Sequence, residues 1–321
     1  MQPKSSRRTM ILPTSSGSDR NSEIEDSASG PEYRMGVDLL NLPVRDGLYH
    51  IAALERYPAL LHGISTRRSP DGEDWNLSTK RGTPEYPPSV ETAHANRRKF
   101  ATALGISPGS IVGGQQVHGT EVALVGWGDA GRGMTPDLPS VQGVDALITG
   151  TPGLYLMALS ADCPPIFFYD PVRRAIGLAH SGWKGTVGRV AANVVEAMVD
   201  NFGSSPADLV VAVGPGIGPC CYSVGSNVIE AIREAFPPQG ATYPPLLEER
   251  DGLTYFNLRE TIRLALLEAG LRPENITVEE VCTADNLHTF YSHRGEEGRC
   301  GLFGAVLGMR VDYDLNAKTP R

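Results

Sequence analysis

The sequence predicts an α/β or α+β fold with mixed sheets, on the strength of three observations. Continuous apolar runs at Leu154 to Leu159 and Leu209 to Val213 are typical of strands that are covered on both faces. Between them, apolar residues recur at helical spacing from Val187 to Phe202. Runs of both kinds alternate along the chain without an internal repeat. Strands that alternate with helices in this way indicate a domain built on mixed sheets.

The composition is ordinary for a globular protein and excludes several classes of function. The 321 residues carry a formal net charge of −8 and contain no stripe of Lys or Arg, so binding to a nucleic-acid backbone is not expected. Five cysteines without a disulfide rhythm favour a reducing compartment. The chain shows neither an apolar run of roughly 18 residues nor a hydrophobic signal core. We therefore expect a cytoplasmic enzyme that binds neither nucleic acid nor a membrane.

The sequence of the first half of the chain predicts a tail, followed by a strand, a helix and two more strands. Residues 1–34 are rich in polar and charged residues and predict a disordered tail. Leu60 to Arg68 predicts a strand that ends in a basic loop. Glu91 to Leu104 has the spacing of a helix that Gly105 terminates. Gly113 to Trp127 predicts a strand, a turn and a second strand.

The second half predicts three helices and several strands. The clearest helix is the apolar face that runs from Val187 to Phe202 and is closed by Gly203. The Pro-rich segment from Pro237 to Gly252 is expected to be a connection or a lid. The other expected elements are helices at Val224 to Phe236 and Asn257 to Gly270, and strands at Ile276 to Cys282 and Gly301 to Met309.

Three side chains at strand ends are candidate metal ligands. Cys163 and His180 lie at the ends of two apolar runs that are joined by a short turn at Asp170-Pro171, which indicates neighbouring strands. His118 lies upstream, on a turn at the edge of another strand. One cysteine and two histidines are ligands that zinc accepts, with a fourth position left open. Glycines around His180 reduce side-chain bulk, which leaves space for a ligand.

Two other interpretations of these residues remain open. Cys163 as a thiolate nucleophile, with His118 or His180 as its base, would suit a hydrolase, although the sequence fixes no orienting Asn or Asp. The second interpretation is a non-catalytic protein with a structural metal site. Such a site needs a fourth protein ligand, and the sequence offers no obvious one. The remaining thiols are expected to be structural: Cys220, Cys221, Cys282 and Cys300.

Charged groups near these ligands are candidates for contacts with a substrate or phosphate. Arg67 follows a predicted strand, and Lys184 lies close to His180 in the sequence. The N-terminus of the helix after Gly185 offers backbone amide groups and a favourable dipole to an anion. Asp162, which precedes the candidate ligand cysteine, is a candidate for moving protons.

Five blocks of sequence follow one another between His62 and Met309. They are Gln116-Val-His-Gly, Ala161-Asp-Cys-Pro-Pro, Ala179-His-Ser-Gly-Trp-Lys-Gly, Gly214-Pro-Gly-Ile-Gly-Pro-Cys-Cys-Tyr, and Cys282-Thr with Phe290-Tyr-Ser-His-Arg. In this order they resemble the YfiH-like, laccase-domain family, which was labelled polyphenol oxidase and is now regarded as a family of purine nucleoside phosphorylases. Several blocks in one order are far more specific than any one of them.

The resemblance implies a fold, a cofactor and an activity. The fold is a single four-layer α-β-β-α domain, with two mixed sheets packed between helices, expected over residues 35–313 and followed by a tail at 314–321. The cofactor is zinc, held by His118, Cys163 and His180. The activity is phosphorolysis of adenosine, inosine, guanosine and S-methyl-5'-thioadenosine to the free base and (methylthio)ribose 1-phosphate, together with deamination of adenosine. The expected partners are purine nucleosides and phosphate, and the expected state is a monomer or a homodimer.

The sequence departs from the family pattern at a few positions. Ser181 and Lys184 stand where Ala and Arg are usual, and Ser223 stands where Glu is often found. Lys184 keeps the positive charge but lacks the planar fork of Arg. The older label of copper oxidase is not favoured, because the seven histidines include no His-x-His pair for a copper cluster. A site with one cysteine and two histidines is nevertheless expected to bind Cu²⁺ in vitro.

Overall fold

The computed structural model describes residues 42–79, 89–237 and 245–311. The predicted tails at 1–34 and 314–321, and the predicted domain boundaries, lie outside these ranges. The strands are β1 (Val44–Arg45), β2 (Leu48–Tyr49), β3 (Leu60–Ser65), β4 (Ile111–Gly113), β5 (Val122–Leu124), β6 (Ala146–Thr149), β7 (Tyr155–Ser160), β8 (Pro165–Asp170), β9 (Ala175–His180), β10 (Val210–Val213), β11 (Ser223–Val224), β12 (Leu247–Arg250), β13 (Leu253–Phe256), β14 (Ile276–Val278) and β15 (Phe303–Met309). The helices are α1 (Ala52–Glu55), α2 (Val90–Ala103), α3 (Trp183–Val187), α4 (Val190–Phe202), α5 (Ser226–Ala235) and α6 (Leu258–Glu268).

Six strands form the first sheet, in the order β1-β2-β3-β15-β7-β4. The long strand β15 pairs antiparallel with β3 on one side and with β7 on the other, while β4 pairs parallel with β7. All residues of β15 are buried, as its apolar sequence predicts for a strand covered on both faces. The sheet is therefore mixed, as expected.

Six other strands form the second sheet, in the order β14-β10-β8-β9-β6-β5. The neighbouring strands β8 and β9 are antiparallel, and Pro165 at the start of β8 lies opposite His180 at the end of β9. Asp170 closes the turn between them, because its Oδ1 accepts the backbone N–H groups of Val172 and Arg173 at 2.8 and 2.9 Å. The prediction that these two apolar runs are neighbours is confirmed.

The two sheets pack face to face, and helices cover their outer faces. The core between the sheets contains Leu156 and Leu307 from the first sheet and Phe167 and Leu178 from the second. Phe100 of α2 packs on the outer face of the first sheet, while α4 and α6 pack on the outer face of the second. The four-layer α-β-β-α arrangement is confirmed. None of the helices within the described ranges is both long and apolar enough to cross a membrane.

The predicted helix is confirmed from Val190 to Phe202 and ends at Gly203 as expected, but its continuity back to Val187 is wrong. The chain forms the two helices α3 and α4, separated at Gly188 and Arg189, and Arg189 adopts a left-handed φ of 65°. Tertiary contacts hold it there, because the guanidinium lies 4.2 Å from the centroid of the Phe236 ring and donates to Glu268. Both partners lie much later in the chain, so the local periodicity does not show the break.

The segment predicted as a lid is partly a β-hairpin. Strand β12 pairs antiparallel with β13, and together with β11 they form a third sheet that was not predicted. Asp251 and Gly252 make the turn with φ values of 51° and 76°. Residues 238–244 of this segment lie outside the described ranges, so the lid remains a prediction for them. In the described part of the segment, Leu247–Arg250 is paired in a sheet.

The chain crosses twice from the first sheet to the second near their common edge. The first crossing runs between residues 113 and 122, because β4 belongs to the first sheet and β5 to the second. The second crossing is residues 161–164, which connect β7 of the first sheet to β8 of the second. These two crossings carry His118 and Cys163, two of the three candidate ligands.

Candidate metal centre

The three predicted ligands come together at the two crossings between the sheets. His118 lies in the first crossing, Cys163 in the second, and His180 is the last residue of β9. Their ligand atoms all lie within 4.8 Å of one another. The two imidazole rings meet edge to face with centroids 5.0 Å apart. Residues that are far apart in the sequence thus form one compact group.

The backbone at both crossings is held in an uncommon conformation. His118 has a φ of 60° and Asp162, next to the ligand cysteine, has a φ of 87°. Left-handed conformations cost residues other than glycine on the order of 1–3 kcal/mol, so they persist only where the surroundings fix them. Gln116 supplies one such contact, because its amide exchanges hydrogen bonds with both backbone groups of Leu159, at 2.7 and 2.8 Å.

Asp145 links two of the ligands, and the sequence did not single it out. Its Oδ1 lies 2.9 Å from Nδ1 of His180. The same carboxylate accepts the backbone N–H groups of Val117, His118 and Gly119 at 3.0, 3.0 and 2.7 Å. A histidine held through Nδ1 presents Nε2 to a metal, and such outer partners fix the orientation of ligands. In the sequence Asp145 is only an acidic residue directly before a short buried strand, which is too common a pattern to indicate this role.

The electrostatics of the group favour a charged thiolate. Burial alone would raise the pKa of Cys163, but the positive charge of His180 and the hydrogen bonds from His118 and His180 lower it to about 7. Burial alone would lower the pKa of His180, but Cys163 and the hydrogen bond to Asp145 raise it to about 9. Burial would also raise the pKa of Asp145, and the hydrogen bonds from His180, Gly119 and Val117 lower it to about 2. Thiolate and carboxylate are the protonation states that ligate and support a metal.

The shape of the site depends on close packing at one glycine. A Cβ atom on Gly182 would lie 2.9 Å from Sγ of Cys163 and 3.3 Å from Cδ2 of His118. A side chain at this position would therefore collide with the candidate ligands, so glycine is needed here. His180 is only 5% exposed, whereas His118 is exposed to solvent. The group is thus anchored on one side and accessible from the other.

This donor set fits a single metal ion with an open position. A tetrahedral ion with bonds of about 2.0 Å to nitrogen and 2.3 Å to sulfur separates these ligand atoms by about 3.3–3.6 Å, so atoms that lie within 4.8 Å of one another need to approach by at most about 1.5 Å. Within the described ranges, the group contains three His, Cys, Asp or Glu ligands and no fourth. Three protein ligands are typical of catalytic zinc sites, whereas structural sites have four. The arrangement is a candidate metal centre.

Asp162, predicted to move protons, has both carboxylate oxygens engaged. Oδ1 accepts the hydroxyl of Thr283 and Oδ2 accepts the backbone N–H of Arg294, each at 2.6 Å. Its backbone carbonyl accepts the N–H of Ile217 at 2.8 Å. These contacts tie three loops to the second crossing beside Cys163. A proton-transfer role for Asp162 remains a prediction, but its contacts describe a positioning residue.

The two predicted phosphate contacts lie in different environments. The guanidinium of Arg67 donates to Glu296 at 2.6 Å and to the carbonyl of Leu287 at 3.1 Å, and it packs 4.8 Å from the Tyr291 ring centroid. Lys184 is exposed at the start of α3, two residues beyond the glycine that packs against the ligands. Of the two, Lys184 is the more accessible to a phosphate, while Arg67 is already paired with a carboxylate. Both assignments remain predictions.

Two further side chains near the centre were not predicted as site residues. Burial, together with the negative charges of Cys163 and Asp162, raises the pKa of Tyr222 to about 12, although the charge of Arg294 opposes the shift. The guanidinium of Arg294 lies 5.2 Å from the Tyr222 ring centroid and donates to the hydroxyl of Ser223 at 3.0 Å. An aromatic ring beside a cation is suited to a ligand that is part aromatic and part anionic.

Comparison with known proteins shows the same relationship over most of the chain. The family model described as "Multi-copper polyphenol oxidoreductase laccase" matches residues 63–310. Purine nucleoside phosphorylase YlmD of Geobacillus stearothermophilus is 38% identical over 218 residues, which are 68% of this chain and 79% of that protein. Adenosine deaminase RL5 of an unknown prokaryotic organism is 30% identical over 198 residues, which are 62% of this chain and 74% of that protein.

A solved structure shows that the fold is shared as well. The crystal structure of Bacillus licheniformis hypothetical protein YfiH matches with a TM-score of 0.74 and 30% identity, covering 84% of this chain and 98% of that one. The family model spans all three candidate ligands and most of both large sheets. The family resemblance seen in the sequence is therefore confirmed, and the chain belongs to the YfiH-like family whose model is described as multi-copper polyphenol oxidoreductase laccase.

Proposed function

We propose that the protein is a zinc-dependent purine nucleoside phosphorylase with adenosine deaminase activity. The substrates are adenosine, inosine, guanosine and S-methyl-5'-thioadenosine, and phosphorolysis yields the free base and (methylthio)ribose 1-phosphate. The observation that carries the proposal is the open Cys-His₂ group, in a chain whose relatives are named purine nucleoside phosphorylase and adenosine deaminase. The protein would act in the cytoplasm as a monomer or homodimer.

Zinc is the metal that the donor set favours. His118, Cys163 and His180 would hold it, and Asp145 would keep His180 in the orientation that directs Nε2 toward the ion. When bound, zinc supplies a Lewis acid and lowers the pKa of water at its open position to about 7. Copper also binds donor sets of this kind, and we expect Cu²⁺ to occupy the site in vitro without oxidase chemistry.

Side chains around the centre would bind and orient the nucleoside and the phosphate. Tyr222 offers a ring for stacking and a hydroxyl that can both donate and accept a hydrogen bond at neutral pH. Arg294 is exposed beside that ring, and its guanidinium carries more N–H donors than its contacts to Ser223 use. Lys184 would add a second positive charge for phosphate. The phosphate would then be directed at the ribose carbon while the purine leaves.

A product assay tests the proposal directly. Purified, zinc-loaded protein is incubated with adenosine, with and without phosphate, and the products are separated by chromatography. Adenine and ribose 1-phosphate that appear only with phosphate would support the phosphorylase, and inosine under both conditions would support the deaminase. Variants His118→Ala, Cys163→Ala and His180→Ala should lose zinc and both activities, while the exposed His293→Ala serves as the matched control. Full activity in a zinc-free variant would contradict the proposal.

A second candidate function is favoured by one specific contact. His180 is hydrogen-bonded to Asp145 on one side and to Cys163 on the other. A cysteine hydrolase uses an acid, a base and a nucleophile that are linked in this same order. The sequence alone had offered no orienting acid. In a hydrolase of this kind His118 would be dispensable, whereas a metal centre needs it. Activity on ester or amide substrates that survives His118→Gln and a strong chelator, but not alkylation of Cys163, would favour the hydrolase.

A further inference from the structure

A second group of metal-binding side chains lies outside the candidate centre. It consists of Cys220, Cys221, Cys282 and Asp285, whose ligand atoms all lie within 4.8 Å of one another. The adjacent cysteines come from the glycine-rich loop after β10, and the other two residues come from the loop after β14. The sequence predicts only structural roles for these thiols. The fold instead brings three of them to one carboxylate.

The loops that carry these residues are fixed to each other by backbone contacts. Gly216 and Cys282 form an isolated parallel bridge, and the N–H of Thr283 donates to the carbonyl of Gly216 at 3.1 Å. Asn286 donates to the carbonyl of Cys282 at 2.8 Å. The positions of the thiols therefore do not depend on a bond between them. Within the described ranges these three cysteines form no disulfide.

The side chains converge on a single point. The thiol of Cys220 lies 3.0 Å from Oδ2 of Asp285, and the thiol of Cys221 lies 3.0 Å from Oδ1. Sγ of Cys282 is buried behind them and accepts the N–H of Gly218 at 3.2 Å. One carboxylate thus spans two thiols, and the third thiol completes the group from the interior.

We propose that Cys220, Cys221, Cys282 and Asp285 bind a second metal ion, and that this ion is zinc held in a closed, structural site. Three sulfurs and one oxygen make a complete set of four ligands, which distinguishes this site from the three-ligand group at His118. Thiolate ligands select zinc over the harder magnesium and calcium ions. Tetrahedral geometry places two sulfur ligands about 3.7 Å apart, and no two ligand atoms here are more than 4.8 Å apart, so no pair of sulfurs needs to approach by more than about 1 Å.

A buried arginine offsets the negative charge of such a site. A Cβ atom on Gly218 would lie 2.9 Å from Sγ of Cys220, 3.0 Å from Nη2 of Arg259 and 3.1 Å from Cβ of Cys282, so the guanidinium borders the thiols. Arg259 is 8% exposed and is held by the carbonyl of Glu279 at 2.7 Å. Three thiolates and a carboxylate around Zn²⁺ leave a net negative charge, and a fixed neighbouring cation stabilises it. The absence of a side chain at Gly218 allows this close approach.

The position of the site gives it a role in holding the first centre. The same two loops contact Asp162 beside the ligand Cys163, since Ile217 donates to its carbonyl and Thr283 donates to its carboxylate. A zinc ion that joins Cys220 and Cys221 to Cys282 would clamp these loops together. Loss of the ion would loosen the support of the first centre without removing any of its ligands.

Zinc stoichiometry measured on the full chain under reducing conditions tests the proposal. Wild type should bind two zinc ions per chain, and His118→Ala with His180→Ala should retain one. Adding Cys220→Ser and Cys282→Ser to that variant should remove the remaining ion, whereas adding Cys300→Ser, a thiol outside the group, should not. Cobalt offers an independent readout, because three thiolates should give roughly three times the sulfur-to-cobalt absorption of one.

A milder variant guards against loss of the fold. Asp285→Asn, at an exposed residue, keeps the three thiols and should weaken zinc binding at this site about tenfold or more while the far-ultraviolet circular dichroism stays unchanged. Two results would overturn the proposal. One is a variant without the first centre that binds no zinc although its thiols are reduced. The other is a disulfide among these cysteines that persists in zinc-replete protein purified under reducing conditions.

Discussion

Oδ1 of Asp145 lies 2.9 Å from Nδ1 of His180, and the same carboxylate accepts three backbone N–H groups around His118. One buried side chain therefore sets the orientation of one candidate ligand and the loop that carries another. The carboxylate is 3% exposed, so the loss of its charge cannot be compensated readily by water. The geometry of the candidate metal centre therefore depends on this carboxylate.

Replacing Asp145 with Asn should weaken zinc binding without removing a ligand. The neutral amide is a poorer partner for His180, and its NH₂ group opposes one of the backbone N–H donors. Loss of such an outer partner typically costs roughly 10–100-fold in metal affinity. Competition with a chromophoric chelator measures the change. Asp129→Asn, which affects only a surface turn and Arg132, is the matched control, and equal affinities for the two variants would contradict the role assigned to Asp145.

Replacing Gly182 with Ala should disturb the ligands more than the backbone. The φ of Gly182 is −75°, which alanine adopts freely, but the added Cβ would lie 2.9 Å from Sγ of Cys163. Overpacking of this kind costs about 1–3 kcal/mol, here at the expense of the ligand geometry. Metal affinity should fall at least fivefold. At Gly128 a Cβ meets nothing within 4 Å, so Gly128→Ala should bind metal like wild type.

Stability should fall in mild acid because of His62 in β3. Its Nε2 accepts the N–H of Ile51 at 2.9 Å, so the ring is neutral. Burial, and then the positive charge of His50, lower the pKa of His62 from 6.5 to about 4. A lowered histidine pKa means that the unfolded chain binds the proton first. The stabilisation is therefore complete above pH 6.5 and is lost as the pH falls to about 4, by about 3 kcal/mol.

Urea unfolding at several pH values checks this expectation. The free energy of unfolding of His62→Gln should depend less steeply on pH between 6.5 and 4 than that of wild type, because glutamine can accept from Ile51 but does not titrate. The exposed His293→Gln is the control and should keep the wild-type slope. Identical slopes in wild type and His62→Gln would show that His62 is not the group responsible.

Removing the charge of Lys184 should affect phosphorolysis more than deamination. A charge-assisted contact to phosphate contributes about 1.5–3 kcal/mol, so Lys184→Ala should raise the KM for phosphate about tenfold or more. Deamination of adenosine needs no phosphate and should change little. Lys99→Ala, which removes an exposed lysine paired with Asp71, is the control for net charge. Equal losses in both reactions would argue against a phosphate contact at Lys184.

The sequence predicted those parts of the site that depend on residue type and strand ends. Cys163 and His180 lie at the ends of two apolar runs joined by a short turn, a pattern that predicts neighbouring strands, so their proximity was predictable from local pattern. Asp145 was missed because its four partners lie 26 to 35 residues away and nothing local distinguishes it. The group at Cys220 was missed for the same reason, since Cys282 comes from a different loop.

The helix break shows the limit of periodicity as a guide. Apolar spacing from Val187 to Phe202 is consistent with one helix, and no residue in that stretch forbids it. The break at Arg189 is fixed by contacts to Phe236 and Glu268. Both residues lie far from Arg189 in the sequence, so the local pattern does not reveal these contacts. The third sheet is short and half exposed, so its strands carry little apolar signal. Tertiary contacts decided each of these features.

Because two ligands lie on the chain crossings between the sheets, metal binding at this centre depends on the packing of the two sheets. His118 and Cys163 each lie where the chain leaves the first sheet for the second, so neither sheet alone can present a complete set of ligands. An ion at the centre of His118, Cys163 and His180 can be bound tightly only after the two sheets have docked, which places its uptake late in folding. A substitution deep between the sheets, such as Leu156→Ala, should therefore weaken metal binding although Leu156 is not a metal ligand.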